Sequence, residues 1–182
     1  MNTMDLWKLK TGQKQAEDIS EKPFVKYGTE AEEYLRGLFA LDHPEYTVIY
    51  EDPYKMIHSK EHPFIFATLD GELVAEDGQK GILEIKTTEI RRGSDWEKWD
   101  EQVPDNYYIQ LLHQLLATGW DFAVLCAQIK YKTKEGEHRK MIREYEIHRS
   151  SVEDDLQYLL EKEIEFWGFV ESKKAPPLIL PI

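Results

Sequence analysis

Apolar side chains recur at helical spacing in some segments of this chain and at strand spacing in others. Intervals of three and four residues are typical of helices, whereas alternating or continuous runs of β-branched and aromatic residues are typical of strands. Along the 182 residues the patterns follow the order helix, strands, helix, strands, helix. We therefore predict one α/β (α+β) domain, residues 1–182, with a central mixed sheet flanked by helices.

The helical segments are bounded by recognisable capping residues. Helices are predicted at about residues 5–9, 29–40, 105–118 and 150–172. Thr29 is the predicted N-cap of the second helix, and Gly119 stands just past the last turn of the third, where glycine is favoured. The tail PPLILPI is expected to be extended, because its prolines do not fit a helix.

The strand-like runs fall into three groups. YTVIYE, YKMIHS and HPFIFATLD suggest a meander, punctuated by two prolines. ELVAEDGQKGILEIKTT predicts a hairpin with its turn at residues 76–81, and Ile82 is expected to enter the core. Residues 121–133 and 138–149 predict two long strands joined by a turn at 134–137.

Composition narrows the class of protein. With 41% hydrophobic residues the chain can bury one substantial core, but no apolar run approaches the roughly 20 residues that cross a bilayer. The start MNTMDLWKLKTG lacks the apolar region of a secretory signal, so we expect a cytoplasmic protein without a membrane partner. The one cysteine, Cys126, lies in the apolar run FAVLCAQI and is expected to be a buried structural thiol.

The formal net charge of −12 argues against a nucleic-acid partner, because phosphate binding usually needs a basic surface. Net charge, however, describes only the average surface. A nuclease needs only a local positive rim next to a carboxylate site whose metal ions reverse the field. The charge therefore leaves a nucleic-acid enzyme possible.

The chemistry of the chain is concentrated in LDG followed by LEIKTT. Asp70 lies near a strand end, and Glu84 and Lys86 stand two residues apart on the next strand, so their side chains share one face. A hairpin brings Asp70 alongside them. Two carboxylates and an ammonium would be costly in a dry core, but they suit a hard divalent cation with a water nucleophile beside it. The pattern predicts metal-assisted hydrolysis.

Taken alone, a Glu-x-Lys pair is weak evidence, since any half-exposed strand can show both residues on its wet face. The apolar setting of this pair, with Ile82, Leu83 and Ile85, and the preceding LDG favour a functional site over a solvated face.

Four sequence motifs, in this order, resemble those of the YqaJ-like viral recombinases and the lambda-type phage exonucleases, a branch of the PD-(D/E)xK nuclease superfamily. They are G-x-x-x-E in GTEAEEYLR, the DG of TLDG, the E-x-K of LEIK, and a helical glutamine in YYIQLLHQLLATG. The resemblance runs from about Leu6 to the end of the chain and implies a restriction-endonuclease-like core. A leucine, Leu69, precedes Asp70 where many members of the superfamily have proline.

By this resemblance Glu32, Asp70, Glu84 and Lys86 form the active site, and Gln110 matches the glutamine that supports the catalytic lysine. Asp70, Glu84 and the backbone carbonyl of Ile85 would hold Mg²⁺, for which Mn²⁺ substitutes.

In the same scheme Glu32 would fix a second ion or its water. Lys86 would orient the attacking water and help to deprotonate it.

The resemblance also implies 5′→3′ digestion of double-stranded DNA ends for phage-type recombination in a bacterial host, a ring-shaped trimer and a single-strand annealing partner protein. Family members usually begin with an Arg- and Ser-bearing segment that touches the DNA end, and this chain starts after that point. We expect that the segment is truncated or that another part replaces it.

Residues near the motif are candidates for contact with DNA. Arg92, with Arg91 beside it, matches a phosphate-binding arginine that follows E-x-K in the family, although both could lie in a solvated loop. Thr68 matches a position that often carries a phosphate-contacting hydroxyl. Trp96 and Trp99 could stack on bases or pack as a half-buried lid.

Three of the candidates have structural alternatives. Glu32 stands three residues after Thr29 and could complete a capping box. Asp70 and Gly71 together are also a hairpin turn signal. His113 is expected to be a structural histidine, although it shares a helix face with Gln110.

Rival functions come from two classes. One is another nuclease of the superfamily, such as a RecB-like enzyme, an endonuclease, or a CRISPR-adaptation nuclease, which normally carries cysteines for an iron–sulfur cluster; a single cysteine argues against the last. The other is a non-catalytic DNA-binding subunit that keeps the fold. The intact set of carboxylates and lysine argues against loss of catalysis.

Overall fold

The computed structural model describes residues 2–177, and the predicted extended tail from residue 178 onward lies outside them. Seven strands form a five-stranded central sheet and a separate two-stranded sheet. The strands are β1 (Tyr46–Ile49), β2 (Ile57–His58), β3 (Phe66–Ala67), β4 (Gly71–Ala75), β5 (Lys80–Ile90), β6 (Phe122–Lys132) and β7 (His138–His148).

The central sheet has the order β1-β4-β5-β6-β7 and is mixed, as predicted. Strands β5 and β6 pair in parallel, whereas every other neighbouring pair is antiparallel. A parallel pair cannot be joined by a tight turn and needs a crossover. The chain between residues 91 and 121 supplies it.

The helices are α1 (Thr3–Lys10), α2 (Pro23–Asp42), α3 (Gly93–Glu97), α4 (Asp105–Thr118) and α5 (Glu153–Glu171). The predicted bounds of α4 are confirmed, and Gly119 takes the left-handed conformation with φ of 71°. A side chain with a Cβ would be strained there, so the glycine ends the helix.

Helix α2 begins six residues before the predicted start. Pro23 occupies its first turn, where the fixed φ of proline is suitable and no N–H is needed. Thr29 therefore lies inside the helix, and its prediction as N-cap is wrong. The capping-box interpretation of Glu32 is excluded for the same reason.

The hairpin of β4 and β5 is confirmed, with Ile82 fully buried. Its turn contains Gly78, which has a φ of 87°, a conformation that favours glycine. Gly71 instead begins β4, so Asp70 and Gly71 do not form the turn of this hairpin.

The predicted meander is wrong. β1 pairs with β4, and β2 pairs only with β3 over two residues each. Prolines 53 and 63 stand in the connections and cannot donate to a strand ladder, so these runs stay short. Helix α3 was also not predicted, because its five residues show no helical apolar period.

The core has a layer on each face of the central sheet. One layer joins the sheet to α4 and α5 through residues such as Leu111, Leu125 and Leu156, and the other joins it to α2 through Leu35 and Phe39. Alternate residues of β5 enter opposite layers, so the strand is buried on both faces. Within residues 2–177 no helix is both long and apolar enough to cross a membrane.

Candidate active site

Glu84 and Lys86 project from the same face of β5, towards α4, as their spacing predicts. Glu84 is only 2% exposed, and the Lys86 ammonium donates a hydrogen bond to its Oε1 atom. A buried carboxylate is costly unless it is paired and hydrogen-bonded. The buried Glu84 therefore requires several donors.

Helix α4 supplies two of those donors. Gln110 Nε2 donates to Glu84 Oε1 at 2.6 Å, and Gln114 Nε2 donates to Glu84 Oε2 at 2.5 Å. The glutamines stand four residues apart, so both face the strand from successive turns. Gln114 was missed in the sequence, although its spacing from Gln110 was a usable signal.

Asp70 closes the site from the residue before β4. Its Oδ2 atom accepts the backbone N–H of Ile85 at 2.8 Å, which places the two carboxylates of the motif together. Burial raises the pKa of Asp70 to about 7, and the negative charge of Glu84 adds to this effect. Carboxylates that resist joint ionisation form a site suited to a cation.

The pKa of Lys86 is shifted in favour of its charged form by the neighbouring carboxylates. Burial lowers the pKa of its ammonium, but the charge and hydrogen bond of Glu84, together with the charge of Asp70, outweigh burial and raise the pKa overall. The lysine is therefore held in its charged form between the two carboxylates. It is positioned to donate hydrogen bonds.

Helix α2 brings Glu32 to the same site. Arg36, one turn further along, donates to Glu32 Oε1 at 3.1 Å and also to the backbone carbonyl of Asp70. The Arg36 guanidinium lies 3.5 Å from the ring centre of Tyr50. Arg36 was missed in the sequence because nothing local indicates that the helix packs beside residue 70.

The donor set fits a hard divalent cation, which prefers oxygen ligands. Two carboxylates, from Asp70 and Glu84, lie beside the backbone of Ile85, and the carboxylate of Glu84 is oriented by the amides of α4. In the part of the chain from residue 2 to 177, no three His, Cys, Asp or Glu side chains form a ready-made ligand cluster. The carboxylate of Glu32 is held by Arg36.

The candidate DNA contacts are on exposed positions. Thr68 is exposed two residues before Asp70, and Arg92 is exposed at the start of α3. Arg91 is also exposed and forms an ion pair with Glu89 at 2.9 Å. Their contact with DNA stays a prediction.

Trp96 and Trp99, in the segment between β5 and α4, differ in their surroundings. Trp99 is 4% exposed, and its backbone carbonyl accepts the Tyr145 hydroxyl at 2.7 Å, so its ring cannot stack on a base. Trp96 is partly buried against Tyr131, with ring centres 5.2 Å apart. The packing interpretation is thus the one confirmed for Trp99.

Two other candidates are structural, as expected. His113 Nδ1 lies 2.7 Å from Glu163 Oε1, and its Nε2 lies 3.0 Å from the carbonyl of Phe66, which ties α4 to α5 and β3. Cys126 is buried, and burial raises the pKa of its thiol to about 12. It is therefore protonated and unreactive at neutral pH.

Comparison with known proteins gives a consistent assignment. Residues 1–142 match the YqaJ-like viral recombinase domain. The protein YqaJ of Bacillus subtilis (strain 168) is 33% identical over 130 residues, which are 68% of this chain. The chain spans only 35% of the length of YqaJ.

Among solved structures, an alkaline exonuclease from Laribacter hongkongensis, LHK-Exo, matches over 95% of this chain and 83% of its own, with a TM-score of 0.55 and 18% identity. The complex of LHK-Exo with dAMP matches over 96% of this chain and 85% of its own, with a TM-score of 0.50 and 17% identity. At this identity the likeness establishes the fold alone, which is the predicted α/β fold with a central mixed sheet flanked by helices.

Proposed function

Because this chain belongs to the YqaJ-like viral recombinase family, we propose that it is a divalent-metal-dependent exonuclease that digests linear double-stranded DNA from its ends. Digestion runs 5′→3′ and supplies single strands for phage-type recombination. We further propose that the protein forms a homotrimer and acts with a single-strand annealing protein. The direction of digestion, the trimer and this partner are taken from the family resemblance.

One observation carries the proposal: a carboxylate that is 2% exposed is held by an ammonium and two amides beside a second carboxylate. A structural ion pair does not need four polar side chains around one acid in a core position, because an apolar packing would be at least as stable. The arrangement is understandable as a preorganised hydrolytic site.

In the proposed mechanism Asp70, Glu84 and the carbonyl of Ile85 would hold Mg²⁺ or Mn²⁺, and Glu32 would hold a second ion or its water. The bound ion would stabilise the charge that develops on the phosphate. Gln110 and Gln114 keep the Glu84 oxygens in one orientation through their amide N–H groups.

Lys86 is proposed to order the attacking water. Its raised pKa keeps the ammonium protonated beside Glu84 and Asp70, so its first role is to donate hydrogen bonds to the water and the phosphate. It can accept a proton only when the charges of those carboxylates are neutralised.

A time course on linear and covalently closed circular duplex DNA, with and without Mg²⁺, tests this function. Loss of linear DNA alone, only with the ion, is the expected result. Cutting of circles at the same rate would assign an endonuclease. Binding of DNA without cutting in Mg²⁺ or Mn²⁺ would favour the non-catalytic subunit.

Glu32→Gln is expected to lower the hydrolysis rate at least about tenfold, because Glu32 no longer contributes a full charge to the site. The melting temperature should change little, since the residue caps no helix and glutamine keeps an oxygen that can accept the hydrogen bond of Arg36. Glu33→Gln, an exposed neighbour on the same helix, is the matched control. Equal rates for both variants would remove Glu32 from the mechanism.

Gln114→Met is expected to lower metal affinity and turnover by about 10–100-fold, as is typical when the partner of a ligating side chain is lost. The Oε1 atom of Gln114 is buried without a hydrogen-bond partner, so losing this atom offsets part of the lost bond to Glu84. Because the buried Glu84 Oε2 atom is left without this donor, stability of the metal-free protein should still fall by about 1–3 kcal/mol.

Gln157→Met, a substitution of an exposed glutamine on α5, controls for the change in side-chain type. Calorimetric Mg²⁺ titration and melting curves separate the two roles of Gln114. Full metal affinity and turnover in Gln114→Met, with only the melting temperature changed, would make this residue purely structural.

A further inference from the structure

Two lysines lie next to each other near the connection between β6 and β7, on the face of the central sheet that packs against α2. Lys130 on β6 and Lys140 on β7 are direct partners in the antiparallel register. Both ammonium groups lie over the ring of Tyr27, that of Lys140 at 5.5 Å from its centre. We call Lys130, Lys140 and Tyr27 the lysine row.

The row is rigidly held. The Tyr27 hydroxyl donates to Gln128 Oε1 at 2.5 Å, and Lys140 Nζ donates to the same hydroxyl at 3.3 Å. The aromatic ring attracts both cations through its electron-rich face. Tyr27 thus fixes two ammonium groups that would otherwise separate in solvent.

Like charges directly opposite each other destabilise an antiparallel pair. Within residues 2–177 neither lysine has a carboxylate at salt-bridge distance, although the whole chain has 35 acidic residues and a net charge of −12. Glu89, the neighbour of Lys130 on β5, is engaged by Arg91 instead. Two unpaired cations therefore remain at one place on an acidic protein.

Protection of a sheet edge does not explain both lysines. Lysine on an edge strand discourages pairing with other chains, and β7 is such an edge. Lys130, however, stands on β6, which is paired on both sides. Edge protection therefore accounts for at most one of the two lysines.

The row is linked to the active site through α2. Lys130 lies on the α2 face of the sheet, opposite the face from which Glu84 and Lys86 project towards α4. Tyr27, however, precedes Glu32 by five residues on α2, which corresponds to a rise of about 7.5 Å along the helix. The row and Glu32 therefore both lie at the N-terminal half of α2.

We propose that Lys130 and Lys140, held by Tyr27, bind the phosphate backbone of the DNA on the α2 side of the active site. Arg91, directly after β5, pairs with Glu89, the register neighbour of Lys130, so the row extends the predicted contact beyond the loop after the E-x-K strand. This inference rests on the proposed nuclease function. It assigns the row to backbone binding without sequence preference.

The test compares Lys130→Gln/Lys140→Gln with Lys8→Gln/Lys174→Gln, which removes the same charge from two lysines outside the row. Fluorescence anisotropy of a labelled blunt duplex, with Ca²⁺ in place of Mg²⁺, gives the dissociation constant at several salt concentrations. For the row variant the slope of log K against log salt should fall by about 1.8, or 0.9 for each lost contact. The control should keep the wild-type slope.

Two further measurements make the outcome decisive. Mg²⁺ binding without DNA should be the same in all three proteins, and the melting temperature of the row variant should stay close to the wild-type value, because relief of the repulsion offsets loss of the contacts with Tyr27. A wild-type salt slope in the row variant, or a lower melting temperature with unchanged DNA affinity, would overturn the inference while the nuclease function stands. Failure of the wild-type protein to bind or cut DNA would instead overturn the proposed function.

Discussion

Lys86→Ala is expected to reduce the rate of DNA hydrolysis by about 10²–10⁴-fold, the range typical for loss of a group that handles protons or orients the nucleophile. The ammonium lies against Glu84 and is held there by the charges of both carboxylates. No other cation in the described chain reaches Glu84: its remaining hydrogen-bond partners are the amides of Gln110 and Gln114. The attacking water would therefore lose its charged donor.

Lys80→Ala is the matched control, because Lys80 stands at the exposed start of the same strand. Single-turnover rates measured at saturating Mg²⁺ separate chemistry from metal binding. Metal affinity should stay close to that of the wild type, since the lysine is not a ligand. A variant of Lys86 with wild-type turnover would show that the ammonium only neutralises Glu84.

Asp70→Asn should abolish measurable hydrolysis and strongly weaken Mg²⁺ binding, because one of the two carboxylates proposed to hold the ion loses its charge. The same change should stabilise the metal-free protein by at least about 1 kcal/mol, or about 2–4 °C in Tm. Asparagine keeps an oxygen that can accept the Ile85 N–H, so the local bond survives.

The stability effect has a defined pH dependence. In the folded protein the pKa of Asp70 is raised from 3.8 to about 7, chiefly by burial. The folded state therefore holds this proton more tightly than the unfolded chain, and the corresponding stability is complete below pH 3.8 and lost as pH rises to about 7.

Melting curves of the metal-free wild type and of Asp70→Asn should consequently diverge between those pH values, with the variant more stable at pH 7. Asp77→Asn, in the exposed hairpin turn, is the control for removal of one acidic charge. Parallel pH profiles for the wild type and Asp70→Asn, together with unchanged Mg²⁺ affinity, would contradict a ligand role for Asp70.

Local patterns determined much of this protein. The hairpin of β4 and β5, the shared face of Glu84 and Lys86, and the bounds of α4 all depend on side-chain alternation, turn residues and helix ends, which are encoded within about 20 residues. The nuclease family was identifiable for the same reason, because its motif is a short series of such elements.

The tertiary structure alone decided how those elements meet. β1 pairs with β4 rather than with its neighbours in the chain, and α2 starts at Pro23 and places Arg36 against the backbone of Asp70. Such contacts join residues 23 to 34 positions apart, and no local period encodes them.

Gln114 and the lysine row belong to the same group of contacts. The role of Gln114 is visible only when α4 packs on β5 and brings its amide to Glu84. The lysine row forms only because β6, β7 and α2 meet at Tyr27. Sequence periodicity specifies which face of an element is buried, whereas the partner of that face is chosen by packing over the whole chain.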